Sequence, residues 1–375
     1  MTRPTRAVAH VAAVAILLIV LALPLYSRDV LAAGTAQVRT IPVNAIVSQT
    51  AIYGHSIVWT QSVPPSHGNL VPESLYWSDL AQVIPHRIFT FPSGTTALNL
   101  RVSADWIAAD LSGTRGSSIW VFNRHTHQSH VVAFRPISGV STLQGFTLSN
   151  DSLAFVVLVP KKHERSGTFQ VHVLNLPNGP ERQVFSRQMS CGSLSLTSQT
   201  GSLFLGAISY QCTGSDVFQL DSQANTISPL TVNHHSMDAA SNGLQATWLQ
   251  YRPGAGGGEP SGIVVLTDLT TNRKIEISKA AAGWPARCRG GAGGTEDRCA
   301  QLPGITTSLA YWLNGLGDPA VYDLATGRSQ VIQTSRPPGM GGFGQGFGSR
   351  LTWASQQSEP TPGRPRSWIV IAYVP

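Results

Sequence analysis

The sequence predicts an all-β fold, a seven-bladed β-propeller of four-stranded antiparallel blades. Its 375 residues include 36 Gly and 24 Pro and only 12% charged residues, which favours sheets joined by many turns over helices. A unit of two strands and a tight turn recurs seven times at intervals of about 42–63 residues, the length of a propeller blade. The last copy lacks one strand, and a segment near the N-terminus can supply it.

The first 35 residues are predicted to be a signal peptide or a signal-anchor helix, and residues 36–375 the propeller domain. Arg3 and Arg6 precede a hydrophobic run over Ala7–Leu25, and small residues follow it. A basic start, an apolar run and small residues in this order are typical of an export signal. We therefore expect an extracytoplasmic protein, either secreted or anchored in the membrane by this helix.

Four cysteines remain in the exported part of the chain, and an even number in such a chain predicts disulfides. Pairing of nearest neighbours would join Cys191 to Cys212 and Cys288 to Cys299, which is one of three possible connectivities. A zinc site is the alternative, but no two cysteines have the close spacing of structural zinc ligands.

The repeat is clearest over Leu309–Thr334, where three apolar runs are separated by turn-forming residues. In each copy, a small or turn-forming residue precedes a strand with a marked apolar position. These positions are Trp59, Ala109, Phe155, Leu205, Trp248, Tyr311 and Trp353. Most are aromatic, and we expect Trp59, Trp248 and Trp353 to lie in the core between blades.

A second element of the repeat is a turn that begins with Asp or Asn after an apolar strand. The six positions are Asp79, Asn123, Asn175, Asp221, Asp268 and Asp323. Four residues later, five copies carry a residue that tolerates positive φ, namely His127, Gly179, Asn225, Asn272 and Gly327. This shared offset predicts the hairpin between the third and fourth strands of each blade.

The seventh copy supplies only its second and third strands, at Arg350–Ala354 and Ser367–Tyr373, before the chain stops. Ala36–Val43 reads as a strand that has no blade of its own. We expect it to be the outer strand of the last blade, which closes the ring and removes the exposed sheet edges.

Two copies also resemble a known family of propellers. Ser149–Phe155 is similar to the Ser-Pro-Asp-Gly…Ala-Phe blade entry of TolB-like propellers, and Val321–Gly327 is similar to their hairpin. The chain therefore resembles the broad TolB-like and WD40-like class over residues 36–375. The resemblance implies a propeller, which can serve either binding or catalysis.

The loops predict where a partner would bind. The connections at 64–73, 160–167, 252–262, 279–304 and 335–346 differ greatly in length, and alternation in a four-stranded meander places all five on one face. Variable loops on a rigid scaffold are where binding sites usually lie. Flexible tethers are the alternative for any single Gly-rich loop.

Charge and cofactor motifs give little further guidance. The formal charge of +7 is compatible with an anionic partner but does not require one. The sequence contains no basic helix, so we expect no binding of nucleic acid. No GxSxG, HExxH, SxxK or phosphate-loop motif occurs, so no catalytic or cofactor residue is assigned. His125, His127 and His130 could meet at a metal, but a polar turn is the simpler interpretation, as a solvated loop is for His234 and His235. We expect no metal site.

The leading functional hypothesis is a monomeric binding or scaffold propeller that recognises a protein or an anionic cell-surface polymer through the variable loops. The alternative is a hydrolase or lyase with a site at the mouth of the propeller channel. The side chains of the innermost strands discriminate between them, because converging acids and bases would favour catalysis. Arg101 and Asp238 are among the few charged candidates there, which favours binding.

Overall fold

The computed structural model describes residues 35–62, 72–136, 141–160, 167–189, 193–200, 203–210, 214–251, 262–278, 300–314, 318–334, 343–357 and 366–375. These residues form β-strands joined by turns, and they include no α-helix. None of them belongs to a helix that could cross a membrane. The predicted hydrophobic helix and all four cysteines lie outside the described residues, so the export signal and the disulfides stay predictions.

The first three blades are four-stranded antiparallel sheets whose strands pair in chain order. Blade 1 contains β2 (Ile46–Tyr53), β3 (Ser56–Ser62), β4 (Ser74–Asp79) and β5 (His86–Thr90). Blade 2 contains β6 (Thr95–Val102), β7 (Trp106–Gly113), β8 (Gly116–Asn123) and β9 (Ser129–Pro136). Blade 3 contains β10 (Thr142–Leu148), β11 (Ser152–Pro160), β12 (Gly167–Asn175) and β13 (Arg182–Met189).

The next three blades repeat this arrangement. Blade 4 contains β14 (Ser193–Thr200), β15 (Leu203–Tyr210), β16 (Gly214–Asp221) and β17 (Thr226–Pro229). Blade 5 contains β18 (Ser236–Ser241), β19 (Gln245–Tyr251), β20 (Gly262–Asp268) and β21 (Lys274–Glu276). Blade 6 contains β22 (Gln301–Ile305), β23 (Leu309–Leu313), β24 (Pro319–Asp323) and β25 (Ser329–Val331).

A three-stranded closing sheet joins the two ends of the chain. It consists of β26 (Arg350–Gln356), β27 (Ser367–Tyr373) and the N-terminal strand β1 (Gln37–Val43), in the order β1-β27-β26. β1 pairs antiparallel with the whole of β27, from Gln37 opposite Tyr373 to Val43 opposite Ser367. The predicted closure by the N-terminal strand is confirmed.

The predicted count of seven four-stranded blades is wrong, because only six of the described sheets have four strands. In the closing sheet, the place beside β26 is taken by residues 343–347, which form only isolated bridges such as Phe343 to Trp353. This segment contains Gly344 and Gly346, and a Cβ at either position would collide with neighbouring backbone. Glycine at such close approaches interrupts a regular strand.

Apolar clusters between neighbouring sheets hold the ring together. One cluster lies at each of the interfaces from blade 1 to blade 6, and two more join the closing sheet to blade 6 and to blade 1. Trp59, Trp248 and Trp353 are each at most 1% exposed, which confirms their predicted place in the core. Because successive side chains of a strand point to opposite faces of its sheet, each blade packs apolar residues against both neighbouring blades.

The sixth copy of the repeat is displaced by one residue from its predicted alignment. The core residue is the fourth residue of the second strand in every blade with a described interior, as in Trp59 of β3 and Trp248 of β19. In β23 that residue is Trp312, which is fully buried, and Tyr311, one residue earlier, is also buried, in the cluster between blade 6 and the closing sheet. Because Tyr311 and Trp312 are adjacent and both aromatic, the sequence does not show which of them matches the tryptophans of the other blades.

The hairpin turns follow the predicted chemistry with one exception. Carboxylate or amide oxygens accept two backbone N–H groups in four turns and one in a fifth, at Asn123, Asp221, Asp268, Asp323 and Asp79 respectively. His127, Asn225, Asn272 and Gly327 have the predicted positive φ. Gly179 does not, so its prediction is wrong: glycine is required there by close approach, because a Cβ would collide with Asn175.

The strand order defines two faces of the ring. The turns between the first and second strands of each blade lie on one face, which we call the turn face. Each blade is joined to the next on the opposite side, which we call the connector face. Loops between second and third strands also leave from the connector face, because antiparallel strands alternate direction.

We expect the closing strand to make a large contribution to stability. Ile41 on β1 is 8% exposed and pairs with Ile369, whereas Val38 on the same strand is 37% exposed. Ile41→Ala should lower the free energy of unfolding by about 2–4 kcal/mol, because it leaves a cavity in a packed cluster. Val38→Ala should cost much less. Denaturant unfolding of both variants checks this. Equal losses in the free energy of unfolding would contradict a stabilising role for the buried face of β1.

Candidate functional site in the central cavity

A cavity of about 500 Å³ lies where the inner edges of several sheets meet. Its wall is formed by the first strands of blades 2, 3, 5 and 6, which are β6, β10, β18 and β22, and by residues 343–346. Tyr311, from the second strand of blade 6, also lines it. The described residues therefore enclose the site on the axis of the ring, where inner-strand side chains converge.

Arg101 brings a cation into this cavity from β6. Arg101 as a whole is half-buried, and its Nη1 donates to the carbonyl oxygen of Leu100 at 3.2 Å. Within the described part of the chain, no carboxylate forms an ion pair with it. Burial lowers the pKa of Arg101, and the nearby Tyr311 opposes this shift. A partly desolvated guanidinium with unused donors is suited to bind an anion.

Tyr311 reaches the cavity because its neighbour on the inner strand is a glycine. Gly304 lies directly opposite Tyr311, and a Cβ at position 304 would collide with the ring and hydroxyl of the tyrosine. The phenol thus passes over the inner strand into the cavity. Its hydroxyl accepts a hydrogen bond from the N–H of Gly346. Burial raises the pKa of Tyr311, while Arg101 and this hydrogen bond act in the opposite direction.

The repeat places Arg101 and the Tyr311 phenol at the same depth. Arg101 is the last residue but one of β6 and pairs with Ala108, just as Gly304 is the last but one of β22 and pairs with Tyr311. In blade 2, the long side chain of Arg101 is on the inner strand and the small Ala108 is on the second strand. In blade 6, the small Gly304 is on the inner strand and the long Tyr311 is on the second strand. Both pairs therefore present a polar group at the same level of the cavity.

Asp238 supplies a carboxyl group from β18. It lies in a β-bulge between Met237 and Ala240 and has a φ of 51°, in the left-handed region. Its side chain is half-buried, and this burial raises the pKa of Asp238. Left-handed backbone at a non-glycine residue is uncommon and concentrates at functional sites. The bulge directs an acid with altered protonation towards the cavity.

A second acid lies directly behind the cavity wall. Asp110 on β7 is 4% exposed and pairs with Asn99, a residue that lines the cavity. Burial raises the pKa of Asp110 to about 6, and a hydrogen bond from the Asn99 side chain partly counteracts this. Its Oδ1 has no hydrogen-bond partner. Asp110 therefore carries a proton in mildly acidic solution, one layer behind the site.

We expect Gly304→Ala to remove the phenol from the cavity. The added methyl group occupies the space of the Tyr311 ring, so the hydroxyl must move. Tyr311→Phe removes the same hydroxyl without disturbing the inner strand. If the phenol matters for function, both variants should lose activity by a similar factor, and the double variant should lose little more. Full additivity in this cycle would show that Gly304 acts in another way.

The structure does not bring the three turn histidines together. The Nε2 of His125 lies 2.9 Å from Asp105 Oδ1, His127 stacks on Phe122, and the Nε2 of His130 lies 3.0 Å from the carbonyl oxygen of Pro177. Within the described ranges, no group of three or more His, Cys, Asp and Glu side chains could hold a metal.

In the histidine pair between blades 4 and 5, His234 is exposed, as a loop residue should be, and is also bonded to Asp216. His234 Nδ1 lies 2.7 Å from Asp216 Oδ2, and its backbone N–H donates to Asp216 Oδ1 at 3.0 Å. The hydroxyl of Thr231 donates to the same oxygen at 3.0 Å. These bonds fix the connector between β17 and β18, two residues before β18 begins.

The other predicted elements of a site lie mainly outside the described residues. This holds for the four cysteines and for most of the five variable loops. Of the described loop residues, 302–304 and 343–346 contribute to the cavity wall. Arg101 and Asp238 are recognisable in the sequence as inner-strand charges, whereas Tyr311 reads as a core residue and Asp110 gives no signal.

No protein-family model and no curated protein sequence matches this chain. Solved structures match its fold. The β-propeller domain of the trilobed protease from Pyrococcus furiosus superposes with a TM-score of 0.57 at 12% identity, covering 88% of this chain and 94% of that one. An oligogalacturonate lyase from Vibrio parahaemolyticus has a TM-score of 0.57 at 10% identity, with coverage of 91% and 98%.

The acylaminoacyl peptidase of Pyrococcus horikoshii superposes with a TM-score of 0.58 at 12% identity over 86% of this chain. The match covers 50% of the peptidase, so this chain spans about half of its length. At these identities the comparisons establish the β-propeller fold alone. They do not single out the TolB-like or WD40-like class that the blade-entry segments resemble.

Proposed function

We propose that this protein is an enzyme, a lyase or a hydrolase, that acts on a small anionic substrate in the central cavity. The observation that carries the proposal is the convergence of Arg101, Asp238 and Tyr311, from three blades, on one cavity. A cation with no carboxylate partner among the described residues, in the same cavity as two groups that can exchange protons, fits catalysis better than simple adhesion. The binding hypothesis took account of Arg101 and Asp238 but not of Tyr311, which reaches the cavity from the second strand of blade 6.

Each residue has a role that follows from its surroundings. Arg101 binds the anionic group of the substrate, because its guanidinium has donors to spare. Asp238 transfers a proton, since its raised pKa makes the ionised carboxylate a stronger base than an exposed aspartate. Tyr311 lies at the level of Arg101 and donates a proton or a hydrogen bond to an oxygen of the substrate.

Of the two reactions, β-elimination fits these groups best. A cation that neutralises a substrate carboxylate acidifies the neighbouring C–H bond. Asp238 accepts that proton, the electrons form the new double bond, and the C–O bond on the next carbon breaks as Tyr311 protonates the leaving oxygen. No metal or nucleophile is needed for this sequence of steps.

The structural neighbours support an enzyme but differ in what they suggest. The oligogalacturonate lyase is named for an anionic substrate and is matched over 98% of its length. The acylaminoacyl peptidase is matched over only half, and this sequence lacks the GxSxG motif of a serine nucleophile elbow. We therefore favour a lyase over a peptidase.

Activity screening with matched variants tests the proposal. The panel contains uronate oligosaccharides, aryl esters of dicarboxylic acids and neutral analogues of each, and the readouts are unsaturated product and released phenol. Turnover should be confined to the anionic members and should fall in Asp238→Asn and Tyr311→Phe, but not in Arg87→Gln on exposed β5. Saturable binding of the anions without turnover would favour the binding hypothesis instead.

Export and disulfide formation remain proposals that accompany this function. If Ala7–Leu25 is an export signal, the protein acts outside the cytoplasm, whether secreted or anchored. Mass spectrometry of the mature, unreduced protein measures both features. It should show the mass loss of two disulfides, with Cys191 linked to Cys212 and Cys288 linked to Cys299. Four alkylated thiols would contradict the disulfide proposal.

A further inference from the structure

One wall of the cavity is apolar, and a strained leucine forms part of it. Leu302 lies in the bulge of β22, is 44% exposed and has a φ of 51°. Single exposed leucines are common, but leucine in the left-handed region is not. A backbone conformation of this kind has a cost that the surrounding structure must offset.

The equivalent position in two other blades also has positive φ. Counted back from the last residue of the inner strand, Leu302 corresponds to Gly145 of β10 and Asp238 of β18. All three have positive φ, with values of 51°, 129° and 51° respectively. Glycine reaches positive φ without steric cost, as Gly145 does here. Blade 6 instead holds a leucine there, and its side chain lines the cavity.

Leu302 stands beside other apolar groups that remain partly accessible. Leu148, Ile305 and Phe343 line the same cavity and are each half-buried. Leu302 precedes Gly304, the blade 6 counterpart of Arg101, so it lies on the connector side of that level, where the inner strands begin.

We infer that the substrate is amphipathic, with an anionic group bound by Arg101 and an apolar group of several carbons in contact with Leu302 on the connector side. This inference rests on the proposed function, because it concerns the ligand of the same cavity. A volume of about 500 Å³ is sufficient for such a ligand.

Straight-chain carboxylates test the inference on the full chain by calorimetry. Acetate, butyrate, hexanoate and octanoate share one anionic group, and octanamide has the same chain without a charge. The dissociation constant should fall by up to about fourfold for each added methylene group, the factor for a buried CH₂. Octanamide should bind at least about tenfold more weakly than octanoate. Affinity that does not change from butyrate to octanoate would overturn the inference.

Two variants locate the apolar contact. Leu302→Ala should flatten the dependence on chain length and leave the affinity for acetate unchanged. Leu302→Gly should do the same while allowing the left-handed backbone, which guards against a loss of folding. Leu244→Ala, in an exposed turn where Leu244 is 73% accessible, is the matched control and should have no effect. A loss caused by Leu148→Ala but not by Leu302→Ala would overturn the assigned position.

The two proposals can fail separately. Turnover of short polar anions, together with an affinity that does not rise with chain length, would refute the amphipathic substrate but support the enzymatic function. Tight octanoate binding that depends on Leu302 and Arg101, together with no turnover in the panel, would keep the amphipathic ligand and remove the catalytic function.

Discussion

Replacing Asp238 with asparagine is expected to abolish most turnover while making the folded protein more stable at neutral and alkaline pH. General acid–base groups contribute about 10²–10⁴-fold to rate, so kcat should fall by at least about 10²-fold. Asparagine tolerates the left-handed backbone at this position, where φ is 51°. The fold should therefore be kept, and the loss should be chemical.

The gain in stability follows from the sign of the pKa shift. Burial raises the pKa of Asp238 above 3.8, so the folded protein holds this proton at a pH where the unfolded chain has lost it. Stability linked to the proton is present below the unfolded pKa and is lost as pH rises through the folded pKa. Asparagine has no proton to lose, so its advantage appears on the alkaline side.

Paired activity and unfolding measurements check this result. Asp323→Asn is the matched control, because Asp323 occupies a hairpin turn in which Asn123 fills the equivalent place. The control should change neither kcat nor the pH dependence of unfolding. A stabilised Asp238→Asn protein with full activity would show that the acid has no part in the reaction.

Replacing Asp110 with asparagine is expected to produce the largest pH-dependent change in stability. Burial raises the pKa of Asp110 from 3.8 to about 6. At 1.36 kcal/mol for each pKa unit, the ionised carboxylate costs the folded protein about 3 kcal/mol above this range. The variant should therefore be more stable than the wild type by about this amount at about pH 8, and nearly equal to it below about pH 4.

Urea unfolding across this pH range measures the effect. The advantage of Asp110→Asn should grow between pH 3.8 and about 6, the window set by the unfolded and folded pKa values of the group. The neutral side chain can still accept a hydrogen bond from Asn99, so the wall of the cavity should persist. A difference in stability that is the same at every pH would contradict a buried, protonated acid at this position.

The local chemistry of the chain predicts the repeat well, because each blade uses the same short signals. Turn residues such as Asp323 and Gly327 act within a few residues of themselves, and the structure places both as expected. The closing strand was also predictable, since the last blade lacked one strand. The interruption at residues 343–347 was not, because it arises from close approaches of Gly344 and Gly346 to distant backbone.

The site was only partly predictable for the same reason. Arg101 and Asp238 are visible as charges on inner strands. Tyr311 looked like a core residue, and only the pairing with Gly304 shows that its ring crosses the inner strand. Asp110 gives no local signal, because the shift of its pKa depends on burial behind Asn99. Sequence patterns report contacts within a blade better than contacts across the ring.

The ratio of kcat/KM between the wild type and Arg101→Gln, for the best anionic substrate of the panel, tests the central claim most directly. If Arg101 is the anion-binding group of a catalytic cavity, the ratio should be about 10² or more, as for loss of a charged donor in an active site. Stability should not fall, because the variant removes a partly desolvated cation that has no carboxylate partner among the described residues. Unchanged kcat/KM in Arg101→Gln would contradict the account.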